Sequence, residues 1–583
     1  MNTELIGRLR SDLTAAGFSV PALTGLWGVD ADAALHRNQR VPAVRALGAL
    51  RRQLGRSEPV ATLAQLFVLG LPVPQEDLAI ALPTLGVEGA EQLGLVMAEA
   101  AGEPGQSGQL AQVAQVAQVA QFGQLAQVAQ FGQPGQVAQL GQPGQPAQLG
   151  QSGPPDDAAP GQPVARPLLD LRPYSFIDAH GAGSWWIASD LGELALGHPL
   201  GENHVLGVGG ASLTLSGLLM PRPADSALDL GTGCGIQAMH AARNARRVVA
   251  TDISERALEL AAFNAELNGI RSIEFRLGSL FEPVAGERFD RIISNPPFVI
   301  TPRTEGVPAY EYRDGGMVGD ALVEAVIRGI PAHLAPGGIA QLLGNWEYHD
   351  DAGRPGDAGR PGDAFERIRS WLDDSLDAWV IEREVQQPAE YAETWIRDGG
   401  TRPGTPDFDR LYDSWLDDFA ARGVRRVGFG YVLLRRRDER AGIPPLRRFE
   451  RLHGSLGHNG AGLGSHLADS LRAYDWSSAT DDAALLAARL TVAPDVTEER
   501  HYWPGESDPT LMTLHQGGGF GRSVQLDTAL AALVGACDGE LAVGAIIAAL
   551  AQLLDASEAD LTAALLPPVR ELVIDGFLRP PGF

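Results

Sequence analysis

The sequence of 583 residues contains no lysine and only two cysteines, Cys234 and Cys537. So few cysteines exclude a disulfide scaffold and predict a reducing, cytoplasmic location. Long apolar runs are also missing, since the longest, residues 541–554, falls short of the roughly 20 residues that cross a membrane. The first residues include acidic side chains and no apolar stretch of the signal-peptide type. We therefore predict no membrane association.

Positive charge is scarce in this chain. The 46 arginines stand against 72 acidic residues, which gives a formal net charge of −26 and a pI of about 4.8. This balance argues against a protein that coats nucleic acid, because phosphate contacts need clustered cations. A local basic groove stays open, since residues 435–451 contain seven arginines and three acidic residues. That stretch either tracks phosphates or forms a solvated helix-and-linker face.

Composition and periodicity divide the chain into five segments. The first is helical and fits either a winged helix or a plain helical packing domain. The second is a Gln-rich linker, and the third is a cap rich in aromatic residues and glycine. The fourth alternates strands and helices, and the last resembles the helix–helix–wing pattern of a winged helix. Their boundaries are residues 1–102, 103–163, 164–220, 221–437 and 438–583.

Glutamine recurs at every third position from Gln106 to Gln151, each time after alanine or glycine. Collagen would need glycine at every third position, and no amphipathic helix has a period of three. The pattern therefore predicts a disordered linker. The repeated DAGRPG at residues 351–362 is predicted to be a smaller insertion of the same kind.

Deleting residues 106–151 is expected to leave the melting temperature and the activity unchanged, because the triplets have no core-forming pattern. Thermal unfolding of the shortened and the full-length chain, followed in parallel, measures this. A large fall in melting temperature would show that the segment is structural.

Residues 221–437 alternate strand and helix patterns, as in a doubly wound α/β sheet. Residues 254–269 form the clearest helix, with Ser254 as its N-cap and Gly269 at its end. We predict a Rossmann-like sheet of seven strands, of which the last two follow an insertion and could form an antiparallel edge pair. The strands are residues 227–230, 247–252, 273–276, 289–294, 339–344, 378–384 and 425–436.

A glycine-rich turn follows the first of these strands, with Gly231, Gly233 and Gly235 inside the motif LDLGTGCG. Such a turn lets the backbone approach a ligand at the carboxyl end of a sheet. The dinucleotide pattern would need glycine at position 236, where Ile236 stands. Asp252 ends the second strand, and its carboxylate can accept hydrogen bonds from both hydroxyls of a ribose. Its alternative role is that of a plain helix N-cap.

Asn295, Pro296, Pro297 and Phe298 directly follow the fourth strand. A planar amide or aromatic amine is a poor nucleophile, because its lone pair is delocalised. The Asn295 oxygen can accept one N–H of such a group and the Pro296 carbonyl the other, so that the lone pair is aimed at a bound electrophile. Phe298 can stack on the planar acceptor. The alternative is an ordinary Asn-Pro turn.

With LDLGTGCG, VVATD and SNPPFVITP in this order, residues 200–345 resemble the class I S-adenosylmethionine-dependent methyltransferases. More narrowly, they are similar to the Asn-Pro-Pro-Tyr/Phe amino-methyltransferases. This group includes the HemK-like glutamine methyltransferases of release factors and the "methyltransferase small" enzymes that modify adenine or guanine in ribosomal RNA and DNA. Phe298 replaces the tyrosine of HemK itself. The resemblance implies S-adenosylmethionine as the cofactor, with Asp229 near its ammonium group and Ser279 in the loop beside the adenine.

The resemblance leaves two acceptors for an N-methyltransferase. A protein glutamine in a translation factor fits the HemK likeness and the acidic pI, and is narrowly favoured. An exocyclic amine of an adenine or guanine in RNA or DNA fits Phe298, the basic stretch and a winged helix. A third reading is a non-catalytic scaffold that only binds the cofactor, and the complete Asn295-Pro296-Pro297 motif and Asp252 argue against it. We predict no metal site.

Two segments beyond these motifs are candidates for the wall of the acceptor pocket. Arg313 and Asp314 stand in one, and Tyr391 and Trp395 in the other. Ordinary loop and helix packing is the alternative for all four residues.

Overall fold

The computed structural model describes most of the chain outside the Gln-rich segment and several loops. The described ranges are residues 2–99, 162–196, 200–201, 203–304, 306–308, 310, 313–349, 363–437 and 444–583. The Gln triplets at 106–151 and the repeat at 351–362 therefore lie outside the described residues. No helix within the described ranges is long and apolar enough to span a bilayer.

The N-terminal helices enclose an apolar core. Leu5, Ile6, Leu9 and Leu13 bury one side of the first helix, at the spacing of an amphipathic helix. Its N-cap is Asn2, whose side chain accepts a hydrogen bond from the backbone of Leu5. The helices are α1 (Thr3–Ala15), α2 (Val20–Leu35), α3 (Val41–Leu54), α4 (Pro59–Leu63), α5 (Gln75–Ala81) and α6 (Gly86–Gln92), with a π-helical turn at Ala64–Val68.

Three short strands show where the Gln-rich segment leaves and rejoins this domain. They are β1 (Val73–Pro74), β2 (Val96–Glu99) and β3 (Val164–Pro167), in the order β1-β3-β2. Glu99 and Val164 are paired neighbours in the ladder between β2 and β3. The Gln75 amide donates to both of their carbonyls, at 3.1 Å each. The two ends of the segment are therefore held side by side.

An eight-stranded mixed sheet forms the centre of the molecule, and a hairpin of β4 (Leu169–Asp178) and β5 (Gly181–Asp190) precedes it. The strands of the sheet are β6 (Ala224–Leu230), β7 (Ala245–Asp252), β8 (Ile273–Leu277), β9 (Phe289–Ser294), β10 (Leu334–His349), β11 (Leu376–Gln386), β12 (Val424–Arg436) and β13 (Arg447–Arg451). Their order is β13-β11-β12-β10-β9-β6-β7-β8. The strands from β10 to β8 in this order run parallel, whereas β12 is antiparallel to both β10 and β11.

Helices cover both faces of this sheet, which confirms the predicted α/β core. Successive residues of the central strands enter opposite apolar clusters, since Leu228 and Ile292 lie in one and Ala227 and Ile293 in the other. The helices of this region are α7 (Glu193–Leu196), α8 (Gly210–Leu218), α9 (Ile236–Ala241), α10 (Glu255–Leu267), α11 (Ala321–His333), α12 (Ala364–Trp371), α13 (Pro388–Asp398) and α14 (Pro406–Arg422).

The sheet has one strand more than the seven predicted. β11 and β12 pair antiparallel, as expected, but they are not an edge, because β12 also pairs with β10 and β13 covers β11. β13 has the sequence RRFER, whose three arginines obscured its strand character. Arg448 pairs with Glu450 and Asp575, and Arg451 pairs with Asp363. These ion pairs let a basic segment serve as an edge strand.

Asn264 on α10 and Asn268, the residue that caps its C-terminus, fasten the β4–β5 hairpin to the core. The Asn264 side chain accepts from the Ala188 N–H at 2.7 Å and donates to the Ala188 carbonyl at 2.9 Å. One helical turn later, Asn268 bonds the N–H and carbonyl of Trp186 in the same way, at 2.9 and 2.8 Å. On the edge of β5 that faces away from β4, side-chain amides thus pair with the backbone N–H and carbonyl groups that a neighbouring strand would otherwise bond.

The C-terminal region packs against the core through its first helix. Leu467 and Leu471 share an apolar cluster with residues of α8 and the sheet. A three-stranded antiparallel sheet and further helices follow and share a cluster of their own. The elements are α15 (Gly464–Ala479), α16 (Asp482–Ala487), β14 (Thr491–Val492), β15 (Val496–His501), β16 (Leu511–Gln516), β17 (Ser523–Leu526), α17 (Thr528–Gly535), α18 (Val543–Leu553), α19 (Glu558–Ile574) and β18 (Leu578–Arg579).

Candidate active site

The glycine turn, residues 231–235, and the Asn-Pro-Pro segment leave neighbouring strands at the same edge of the sheet. β6 and β9 are paired up to Leu230 and Ser294, the last residue of each strand. The Ser294 hydroxyl donates to the Leu230 carbonyl at 2.8 Å. Gly231 and Asn295 therefore start side by side.

The glycine turn is anchored to β7 and pressed against α10. The N–H groups of Gly231 and Thr232 both donate to the Thr251 carbonyl at 2.9 Å. Gly235 has a φ of +87°, and a Cβ there would lie 2.9 Å from that of Ala261 on α10. A larger residue would meet backbone strain and push the helix away, so glycine is required at this position for two reasons.

Asp252 joins the glycine turn to the start of α10. Its Oδ2 accepts the Gly233 N–H at 2.9 Å, and its Oδ1 accepts the Ser254 N–H, also at 2.9 Å. Burial raises the pKa of this carboxyl. Each oxygen keeps a lone pair for a further donor, so the loop-joining role and the predicted contact with ribose hydroxyls are compatible.

Two exposed apolar side chains flank Asp252. Ile253 is 59% exposed and Leu277 57%, and Leu277 is the register partner of Asp252 on β8. An apolar pair beside a carboxylate suits a flat heterocycle joined to a sugar. Ser279, the residue predicted to lie beside the adenine, is exposed two positions after Leu277. Sequence reasoning missed Ile253 and Leu277, because exposure of an apolar side chain has no local sequence signal.

Asp229 lies behind the glycine turn, fully buried in β6. Its Oδ2 accepts the Thr232 hydroxyl at 2.6 Å. Burial raises the pKa of Asp229 to about 7, against the opposing effect of the Thr232 hydroxyl and of the Ala238 N–H at the start of α9. A buried carboxylate behind the glycine turn fits a bound ammonium group, met directly or through water.

The affinity for S-adenosylhomocysteine is expected to rise between pH 6 and pH 8. At a pH below its pKa of about 7, Asp229 is mostly protonated and offers no negative charge to the ammonium group. If the bound ammonium group lowers the pKa of Asp229 by one unit, the affinity at a pH above the pKa of the free protein exceeds the affinity at low pH by up to about tenfold. Calorimetry at both pH values measures the slope. Asp229→Asn is the matched control and should bind independently of pH, and an equal slope in both proteins would rule out this assignment.

A cavity of about 1140 Å³ opens at the Asn-Pro-Pro segment, and Asn295, Pro296, Pro297 and Phe298 all line it. Asn295 Oδ1 is buried and has no hydrogen-bond partner among the described residues. The Gly315 N–H donates to the Pro297 carbonyl at 3.1 Å, whereas no described residue donates to the carbonyl of Pro296. Two acceptor oxygens of this segment thus have no donor among the described residues.

An aromatic pair forms part of the same wall. The Phe298 ring lies 5.5 Å from that of Phe429 on β12, and Phe429 and Tyr431 line the cavity as well. Sequence reasoning found Phe298 from its motif but not the β12 residues, whose position depends on the pairing of β12 with β10.

The cavity walls extend well beyond the central sheet. One wall comes from α2, another from the β4–β5 hairpin, and a third from the loop that precedes α15. Residues that represent these walls are Leu23 and Trp27, Tyr174 and Ile187, and His458 and Asn459. Segments that precede the central sheet in the chain and a segment that follows it therefore complete the cavity.

The four predicted wall residues divide into two groups. Arg313, Tyr391 and Trp395 line the cavity. Asp314 instead forms an isolated β-bridge with Phe298 and accepts the Thr301 hydroxyl at 2.5 Å. Asp314 thus supports the Asn-Pro-Pro segment from behind.

Five of the six arginines of the basic stretch that the structure describes have side-chain partners within the protein. Arg435 bonds Asp377 and Asp475, and Arg436 bonds the carbonyls of Pro331 and Leu334. These contacts and the ion pairs of β13 leave little of the stretch to hold phosphates. Within the described ranges no group of His, Cys, Asp and Glu side chains is placed to bind a metal ion.

Three segments of the chain match protein families. Residues 209–348, which include the glycine turn and the Asn-Pro-Pro segment, match the Methyltransferase small domain. This match confirms the predicted resemblance of these residues to the methyltransferase small enzymes. Residues 15–105 and 469–580, on either side of the methyltransferase small domain, match two domains of unknown function, DUF7059 and DUF7782.

Several curated proteins that are similar to this part of the chain carry the names of glutamine methyltransferases. A release factor glutamine methyltransferase of Xylella fastidiosa is 41% identical over 128 residues, which are 20% of this chain and 46% of the relative. A putative protein N5-glutamine methyltransferase of Methanocaldococcus jannaschii is 36% identical over 119 residues, 20% of this chain and 59% of the relative. A ribosomal protein uL3 glutamine methyltransferase of Bradyrhizobium diazoefficiens is 37% identical over 128 residues, 20% of this chain and 40% of the relative. The chain thus spans about half the length of these relatives.

Among solved structures, the ribosomal protein L11 methylase of Lactobacillus delbrueckii is 21% identical to this chain. The alignment covers 40% of this chain and 82% of the methylase, with a TM-score of 0.22.

Proposed function

We propose that this chain is an S-adenosylmethionine-dependent N-methyltransferase that modifies a glutamine side chain of a translation protein. The main observation behind the proposal is the unpaired side-chain oxygen of Asn295. Asn295 lies in the cavity wall, next to the glycine turn. The names of the relatives, which act on release factors and on ribosomal protein uL3, support the class of acceptor.

The residues at the carboxyl edge of the sheet fit S-adenosylmethionine. Asp252 would hold the ribose hydroxyls, Ile253 and Leu277 would flank the adenine, and Asp229 would face the ammonium group. When bound, S-adenosylmethionine supplies an electrophilic methyl group on a sulfonium centre. No basic residue is needed for a pyrophosphate, in keeping with Ile236 in place of a third dinucleotide glycine.

Asn295 and Pro296 hold the acceptor nitrogen. The lone pair of a carboxamide nitrogen is delocalised into its carbonyl group, so it attacks poorly until the nitrogen becomes pyramidal. Asn295 Oδ1 and the Pro296 carbonyl accept its two N–H groups and favour that geometry. Phe298 and Phe429 contact the planar acceptor.

We propose that both terminal domains, predicted from the sequence to be helical or winged-helix-like, position a protein acceptor. α2 and the loop before α15 line the same cavity as Asn295. A cavity of about 1140 Å³ admits a loop of a folded partner but not a whole domain. The engaged arginines of the basic stretch favour a polypeptide over a phosphate backbone.

Transfer of tritiated methyl groups from S-adenosylmethionine into an extract of cells that lack this protein tests the proposal. The label is expected to be lost after protease treatment and kept after nuclease treatment, and mass spectrometry should locate the methyl group on a glutamine side-chain nitrogen. Label that nuclease removes would make a nucleic-acid base the acceptor. No labelling would favour the non-catalytic scaffold.

A further inference from the structure

Asn345 is a second asparagine in the acceptor pocket. It lies on β10, three residues after Leu342, the last residue of β10 that pairs with β9. β10 thus continues past the point at which β9 ends in the Asn-Pro-Pro segment. Asn345 lines the same cavity as Asn295, and its side chain is almost fully enclosed, with 1% of the residue exposed.

Contacts from two directions place Asn345 beside the Asn-Pro-Pro segment. Its cross-strand partner on β12 is Phe429, and directly opposed residues of antiparallel strands share a face of the sheet. The Phe429 ring in turn packs against Phe298. On the other side, the Tyr391 hydroxyl accepts the Ile300 N–H at 3.0 Å and lies 2.5 Å from Nδ2 of Asn345.

The donors and acceptors around Tyr391 indicate which end of the Asn345 amide is left without a partner. If Nδ2 donates to the hydroxyl, Oδ1 has no partner among the described residues, and the hydroxyl hydrogen has no acceptor there. Turning the amide by 180° lets the hydroxyl donate to Oδ1 and leaves the NH₂ group without an acceptor among the described residues. In that arrangement Asn345 presents hydrogen-bond donors to a ligand.

We infer that Asn345 determines acceptor specificity by donating a hydrogen bond to the carbonyl oxygen of the acceptor carboxamide. The inference rests on the proposed function. Asn295 Oδ1 and the Pro296 carbonyl accept from the NH₂ end of the carboxamide, and Asn345 donates to its other end. The pocket then distinguishes glutamine from glutamate, because a carboxylate would set an oxygen against Asn295 Oδ1. A site built from such fixed polar groups rejects the mismatched analogue strongly.

Asn345→Asp tests this role, because aspartate keeps the size and still accepts from Tyr391 but replaces the donor with an oxygen. Its kcat/KM for the protein acceptors of the extract is expected to fall about tenfold or more. N-acetylglutamine methylamide, a small carboxamide probe, should inhibit the wild-type protein in competition with the acceptor and inhibit the variant less. The affinity for S-adenosylhomocysteine should stay unchanged, which separates a role at the acceptor from damage to the cofactor site. The melting temperature should fall, because aspartate is buried at this position.

Two smaller variants separate hydrogen bonding from packing. Asn345→Ser keeps a donor and should retain more activity than Asn345→Ala. Equal losses in these two variants would overturn the inference, even if Asn345→Asp failed to fold, and so would a wild-type kcat/KM in Asn345→Asp. An active wild-type protein with unaffected Asn345 variants would sink the inference alone, whereas a wild-type protein that labels nothing would sink the proposed function as well.

Discussion

Replacing Asn295 with alanine is expected to lower turnover about a hundredfold or more, while the affinity for S-adenosylhomocysteine stays nearly unchanged. The side-chain oxygen is unpaired in the cavity wall, so its hydrogen bond forms with the acceptor alone. Loss of a partner that acts in the transition state lowers kcat on this scale. Initial rates of methyl transfer and calorimetry on the same protein measure both quantities. Asn295→Asp keeps an acceptor oxygen and should retain part of the activity.

Asn268→Ala is a matched control for this prediction. Asn268 bonds the backbone of Trp186 and is not among the residues that line the cavity. Its replacement should lower the melting temperature and preserve most of the turnover. Full activity in Asn295→Ala would contradict the assigned role, as would a product methylated on carbon, oxygen or sulfur.

Asp252→Ala is expected to weaken the binding of S-adenosylhomocysteine by about 1–3 kcal/mol, the cost of leaving buried hydrogen-bond partners unsatisfied. Two causes add, because the ribose hydroxyls lose their acceptor and the Gly233 N–H loses the bond that shapes the glycine turn. Calorimetry at fixed pH measures the change.

The neighbouring Ser254→Ala variant separates cofactor binding from helix stability. The Ser254 side chain accepts from Ala257 N–H as the N-cap of α10, so its loss should reduce stability by about 1 kcal/mol. Its cofactor affinity should match the wild-type value. An unchanged affinity in Asp252→Ala would remove this residue from the cofactor site.

The central strands were predictable because burial on both faces gives them continuous apolar runs, each closed by glycine or a polar residue. Leu228 and Ile292 illustrate this pattern, and their strands occur at the predicted positions. Ser254 and Gly269 were likewise predictable as helix ends, since capping is decided within a few residues. Local rules sufficed wherever the deciding contacts were local.

The parts that escaped prediction depend on long-range pairing. Asn345 and Phe429 become pocket residues only through the antiparallel register of β10 and β12, which no local pattern encodes. From the sequence alone, Arg448 looks like an exposed charge. In the folded protein it pairs with Asp575, which is more than a hundred residues away in the chain. Asn264 did carry a signal, because asparagine is unfavourable inside a helix and its amide tends to bond backbone groups instead.

The pairing of Glu99 with Val164 has a practical consequence for engineering. A loop inserted between adjacent positions of one ladder costs a closure entropy that grows by only about 0.6 kcal/mol for each doubling of its length. We therefore expect variants with fewer or more Gln-rich triplets to keep the melting temperature of the full-length chain. By the same reasoning, a fluorescent or affinity module spliced between these two residues should leave the central sheet undisturbed.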